Sequence, residues 1–215
     1  MCANTRPHPV PHAPEIELLV ADEAVPIWQK TEEALEREGL APPFWAFAWA
    51  GGQGLARWVL DHADAVKDRR VLDFASGSGL VGVAAMVAGA GEATCVDLDP
   101  FAATAARLNA RLNDVRVGAL TEDVIGRDRL ALGRPDLVLA GDVHYERAFA
   151  GAATPWLESL AREGARVLVG DPGRSYFPRD RSWREIARHD VPVIRDLEDM
   201  AIRSVGVFEV VPGAS

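Results

Sequence analysis

The stretch Val71-Leu72-Asp73-Phe74-Ala75-Ser76-Gly77-Ser78-Gly79-Leu80 limits what this chain can fold into more than any other. An apolar, β-rich run ends on a carboxylate, breaks into a Gly/Ser turn and restarts as a helix. About 20 residues later, Val96-Asp97-Leu98-Asp99-Pro100 follows a second β-rich run with further carboxylates. This order of residues describes parallel strands joined by a helix, with a nucleotide-type ligand at their carboxyl ends. Gly77 and Gly79 allow backbone conformations that a Cβ forbids, and the helix opening at Leu80 turns free N–H groups toward the ligand.

Gly77-x-Gly79-x-x-Gly82 also fits the dinucleotide fingerprint, so the choice of ligand rests on the neighbours. Asp73 at the strand end would repel a pyrophosphate and attract the ammonium of a methionine moiety, which favours S-adenosylmethionine (SAM) over NAD. The glycines also lie far into the chain, behind an aromatic segment, whereas a minimal dinucleotide domain begins with this strand. Asp97 suits either ligand, since a carboxylate at the second strand's end accepts ribose hydroxyls.

Apolar β-rich runs near 70–74, 93–97, 115–118, 136–141 and 165–170 alternate with helical patterns near 80–89, 100–113 and 147–163. Strands spaced by helices predict an α/β, Rossmann-like, mostly parallel sheet covered on both faces. The tail predicts a helix near 182–189 and then strands over 191–194 and 204–211, with no helical stretch between them and hence an antiparallel C-terminal hairpin. Ahead of the first strand, Asp22, Pro26 and Gly39 bound an amphipathic helix over about 24–38. Pro42-Pro43 then leads into the aromatic run 44–49, a strand or a loop, which Gly51-Gly52 ends before a helix reaching His62. Residues 1–13 read as a flexible N-terminus, and 14–215 as one domain with a helical and aromatic extension over 14–62.

The formal net charge of −9 argues against a nucleic-acid backbone as partner and favours a small molecule or a basic protein surface. No apolar run approaches the roughly 20 residues that span a bilayer. Cys2 and Cys95 make no disulfide framework and suit a reducing cytoplasm, where the chain is expected to act as a monomer. The five histidines show no metal-ligand spacing, so no metal is expected.

Six blocks now stand in order: Pro14-Glu15-Ile16, the run from Pro43 through Trp49 to Gln53, Val71-Leu72-Asp73, Asp97-Leu98-Asp99-Pro100, Gly141-Asp142-Val143-His144-Tyr145, and Val169-Gly170-Asp171-Pro172-Gly173-Arg174. Together they resemble the seven-β-strand protein-lysine methyltransferases that modify the electron-transfer flavoprotein β-subunit, over roughly residues 14–211. Bacterial relatives often carry nicotinamide or ribosomal-protein methyltransferase labels, and these acceptors are the alternatives to the flavoprotein. One departure stands at Ala75, where many methyltransferases place the first glycine of the turn.

The resemblance implies SAM as methyl donor and a protein lysine as acceptor. It places Trp49 and Gly51 beside the methionine end of SAM and Asp123 at the adenine amino group, and Ser76 and Leu98 join Asp73, Gly77, Gly79 and Asp97 in the cofactor set. Methyl transfer to an amine is an in-line displacement that rests on positioning and desolvation, and it needs a neutral amine. By the acidic-x-x-aromatic motif that this segment matches, Asp142 orients the incoming ammonium and Tyr145 packs on the lysine stem. The bland reading makes Asp142 a helix cap and Tyr145 core. His144 has the pKa range of a general base, although a lysine can also lose its proton to water. Phe44 and Trp45, with Phe47 and Trp49, are dense enough to line a substrate channel. Arg174 either contacts the protein substrate or answers Asp171.

Overall fold

The computed structural model describes residues 5–21, 42–180, 182–193 and 201–212. The helix expected over about 24–38 lies outside them. A hairpin of β1 (Thr5–Val10) and β2 (Ala13–Ala21) comes first, and after a 3-10 turn at Phe44–Ala46 come α1 (Ala50–Asp61) and α2 (Ala63–Val66). The alternating unit is β3 (Arg70–Phe74), α3 (Leu80–Val87), β4 (Glu92–Asp97), α4 (Pro100–Leu112), β5 (Gly118–Thr121), β6 (Leu137–Gly141), α5 (Arg147–Arg162) and β7 (Arg166–Asp171). β8 (Trp183–Pro192) and β9 (Ile202–Val210) close the chain.

Seven strands form one sheet in the order β5-β4-β3-β6-β7-β9-β8, with the first five parallel and β9 and β8 antiparallel. The expected Rossmann-like architecture is the one observed. β6 and β7 are buried on both faces, which is why they read as unbroken apolar runs. Leu55, Val83, Ala84 and Leu139 join the core on one face, and Val138, Trp156, Leu157 and Val167 join that on the other. β3 and β6 are neighbours while the chain between them runs out through β4 and β5, so the strand order reverses at this pair. Open α/β sheets bind ligands at the carboxyl ends of such a pair.

Two expectations differ from what is observed. Residues 183–192 form a strand, not the helix expected near 182–189, because the segment pairs with β9 along its whole length. Exposed Arg188 and Glu185 form an ion pair three residues apart, which mimics helical spacing, and a register shift between Glu185 and Ala187 blurs the alternation. In addition, Thr5–Val10, read as part of a flexible start, forms β1. Pro7 and Pro9, two residues apart, sit on an edge strand where a missing N–H costs no ladder bond. Asn109 on α4 and Asn113, which caps its C-terminus, hold the free edge of β2: Leu19 N donates to Asn109 Oδ1 (2.8 Å), and Glu17 N donates to Asn113 Oδ1 (2.9 Å).

Helix α1 crosses the strand ends in near backbone contact. A Cβ on Gly51 would stand 2.3 Å from the Gly170 carbonyl oxygen and 2.6 Å from Asp142 Oδ2. The Gly51-Gly52 pair thus lies inside the first turn of a helix pressed against β6 and β7, and does not separate two elements.

Candidate active site

A cavity of about 1010 Å³ opens at the carboxyl ends of the parallel strands, under the aromatic segment that precedes α1. Its floor is the turn after β3. Ala75, Gly77 and Gly79 all take left-handed φ, at 52°, 50° and 77°. Ala75 therefore adopts the conformation that a first glycine would supply, at a cost of roughly 1–2 kcal/mol for an L-residue. Asp97 ties the turn to β4: its Oδ2 accepts from Gly77 N at 2.8 Å and its Oδ1 from Asp99 N at 3.0 Å. Asp99 in turn caps α4 by accepting from Phe101 N at 2.8 Å.

Asp73 lies at the bottom, 1% exposed, and its Oδ2 accepts from Gly82 N at 2.8 Å. Burial pushes its pKa up to about 8, against the opposing pull of that N–H.

Trp49, Asp73, Ser76, Gly77, Asp97, Leu98 and Asp123 all line this cavity. Gly79 and Gly51 do not. A Cβ on Gly79 would stand 2.6 Å from the Ala106 Cβ of α4, so this glycine serves helix packing, as Gly51 does. Asp123 is exposed and accepts from Ile125 N at 3.0 Å in its own turn.

The other end of the cavity is built on Asp142, just past β6, with φ of +57°. Its backbone N donates to Gly170 O at 2.9 Å. Asp142 Oδ1 accepts from Arg174 Nη2 at 2.8 Å and Oδ2 from Gly52 N at 3.0 Å. Burial pushes its pKa up to about 6, with the Arg174 guanidinium pulling it back down. Arg174 thus answers Asp142 with its side chain and Asp171 only with its backbone N, at 2.7 Å.

Around this carboxylate stands an aromatic wall. The Phe44 ring lies 5.6 Å from that of Tyr145 and 5.8 Å from that of Trp49, whose Nε1 donates to Phe44 O at 2.9 Å. Trp45 sits nearer Phe101, at 6.1 Å. Tyr145 is 49% exposed and is therefore not a core residue.

His144 does not line the cavity. Its side chain is wholly buried, with Nδ1 3.2 Å from Asp171 Oδ2 and its ring edge-on against both Phe177 and Trp183, which also touch each other. That position gives it no access to an amine in the cavity, which removes it as a direct general base. Gly52, read in the sequence only as the end of the aromatic run, donates to Asp142, and Glu146 and Phe149 at the start of α5 line the cavity without a sequence pattern that singles them out. The only signal for Phe149 is its place four residues after Tyr145, and the two rings stand 5.8 Å apart. Among the described residues, no group of three or more His, Cys, Asp or Glu side chains is placed to hold a metal, and no helix is long and apolar enough to cross a membrane.

The two raised carboxyls predict a pH dependence of stability. A carboxyl whose folded pKa exceeds its unfolded value near 3.8 gives stability that is present below that value and lost as pH rises through the folded pKa. The melting temperature of the ligand-free protein is expected to carry a falling contribution between about pH 4 and pH 8 from these groups. Asp73→Asn should flatten its upper part when melting is followed by calorimetry, and an identical profile in that variant would show that Asp73 titrates normally.

The family described as Ribosomal protein L11 methyltransferase (PrmA) matches residues 57–140. The electron transfer flavoprotein beta subunit lysine methyltransferase of Xenopus laevis is 35% identical over 185 residues, covering 85% of this chain and 71% of its own length. That of Danio rerio is 32% identical over 200 residues, covering 91% and 75%. Among solved structures, an RNA methyltransferase from Salinibacter ruber in complex with S-adenosyl-L-homocysteine superposes with a TM-score of 0.51 at 18% identity, covering 75% of this chain and 94% of that one.

Proposed function

The chain belongs to the family of electron transfer flavoprotein beta subunit lysine methyltransferases, and on that basis we propose that it transfers methyl groups from SAM to lysine side chains of a protein, the electron transfer flavoprotein beta subunit. The observation that carries this reading is the two-ended cavity, with the Asp97-held turn at one end and buried Asp142 among aromatic rings at the other.

The residues present fit SAM. Asp97 uses one lone pair on each oxygen for the turn, which leaves others for ribose hydroxyls. Ser76 lines the cavity with its Oγ beside the buried Cys95 thiol. Trp49 and Asp123 flank the remaining length. SAM supplies an electrophilic methyl on a sulfonium. The chain's own part is to hold a lysine stem against Phe44 and Tyr145, to orient its nitrogen with Asp142, and to shed water so that the neutral amine is favoured. The Asp142–Arg174 pair suits this, since a carboxylate already neutralised by a guanidinium orients an amine without locking it as an ammonium.

A ribosomal-protein acceptor has weaker support. The family model's match stops at residue 140, before Asp142, Tyr145 and Arg174, so that model does not reach the acceptor end. We place the enzyme in the cytoplasm as a monomer, in keeping with the free, buried Cys95. The test is transfer of labelled methyl from SAM into a lysate of the host, resolved by size. A labelled band at the flavoprotein subunit is expected, and label confined to small molecules would contradict the reading.

A further inference from the structure

The buried pair His144–Asp171 lies outside the cavity, yet it connects to the carboxylate at the cavity's acceptor end. Asp171, 1% exposed, uses both carboxylate oxygens. Oδ2 faces His144 Nδ1 at 3.2 Å, and Oδ1 accepts from both Gly173 N and Arg174 N at 2.7 Å. Those two N–H groups belong to the turn that delivers the Arg174 guanidinium to Asp142 Oδ1 at 2.8 Å. His144 is itself two residues from Asp142, and its carbonyl oxygen accepts from Tyr176 N at 3.4 Å on the far side of the same turn. A packing role alone explains the ring's place against Phe177 and Trp183. It does not explain a polar ring there, because Nε2 is buried with no hydrogen-bond partner among the described residues, a cost that any apolar side chain avoids.

We infer that His144 and Asp171 are positioning residues for the acceptor carboxylate: the Nδ1–H bond holds Asp171, Asp171 holds the turn, and the turn aims Arg174 at Asp142. The inference rests on reading Asp142 as the acceptor carboxylate, and its test does not require the acceptor to be known. The charged groups facing Asp142 are Arg174, which favours its ionised form, and Asp171, which opposes it more weakly; Gly52 N adds a neutral donor from α1. Loosening the turn withdraws the guanidinium from a buried carboxylate, so Asp142 should hold its proton to higher pH.

The experiment is a carboxyl ¹³C NMR titration of the full chain, with the Asp142 resonance assigned by its loss in Asp142→Asn. In His144→Leu the Asp142 midpoint should rise by about half a pH unit or more, with SAM affinity kept within about twofold. His144→Asn, which keeps an N–H donor near the Nδ1 position, should restore the parental midpoint. His144→Gln, which is close in size but carries its amide farther out, should behave like the leucine variant should that one not fold. Arg174→Gln tests the last link with the buried pair intact and should raise the midpoint at least as far. An unmoved midpoint in folded His144→Leu or His144→Gln overturns the inference. So does a rise in His144→Asn equal to that in leucine, or a rise accompanied by lost SAM binding, since either would mean general collapse of the site. Failure to methylate the flavoprotein would count against the proposed acceptor and would leave the titration result standing.

Discussion

Asp142→Ala is expected to lower methyl transfer to the protein acceptor by roughly 10³-fold or more, the scale on which a preorganised group at the reacting centre is missed. SAM affinity should stay within about twofold, because the carboxylate stands at the acceptor end and Asp97 at the other. Alanine here removes the group that orients the nitrogen and also leaves the Arg174 guanidinium without this partner. Asp142→Asn separates the two effects. It keeps an acceptor for Arg174 or Gly52 N but loses the charge, so it should preserve the fold and still lose most of the rate. The measurements are kcat/KM with protein acceptor, calorimetric SAM binding and circular dichroism on the same preparations. Parental rates in both variants would show that the carboxylate serves structure alone.

Asp97→Ala should act at the other end and on the other constant. Its loss removes the contact to the ribose and frees Gly77 N and Asp99 N, the two backbone groups that fix the turn and the start of α4. A charge-assisted contact of about 1.5–3 kcal/mol corresponds to a weakening of SAM binding by roughly tenfold to a hundredfold. Loss of both backbone anchors puts the expectation at the upper end. Calorimetry with SAM reads it directly, and NAD should give no heat with either protein. Undiminished SAM affinity in Asp97→Ala would remove this residue from the cofactor site.

Much of this was legible in the sequence where local pattern and tertiary need coincide. β3, its turn and α3 stand where the β-rich run, the two glycines and the apolar restart put them, and Asp142 and Tyr145 follow a strand whose four apolar residues are all buried. The misreadings arise where a partner distant in sequence decides. β8 owes its conformation to β9, and its exposed Arg and Glu carry a helical spacing that the sheet overrides. Gly51 and Gly79 read as cofactor glycines because a missing Cβ looks the same whether it makes room for a ligand or for a neighbouring helix; here the atoms met are Gly170 O and Ala106 Cβ. His144 was readable as a base from its pKa range alone, while its burial is set by Phe177 and Trp183, 33 and 39 residues further along the chain. The Asp142–Arg174 pair spans 32 residues and carries no local signal, so a carboxylate that looked free to meet an ammonium already has a cationic partner.

The most direct test of the central claim is mass spectrometry of purified electron transfer flavoprotein incubated with this enzyme and SAM. Added methyl groups on lysine residues of the beta subunit, with free lysine a poor acceptor, are the predicted result. Unmodified flavoprotein alongside efficient methylation of nicotinamide would contradict it.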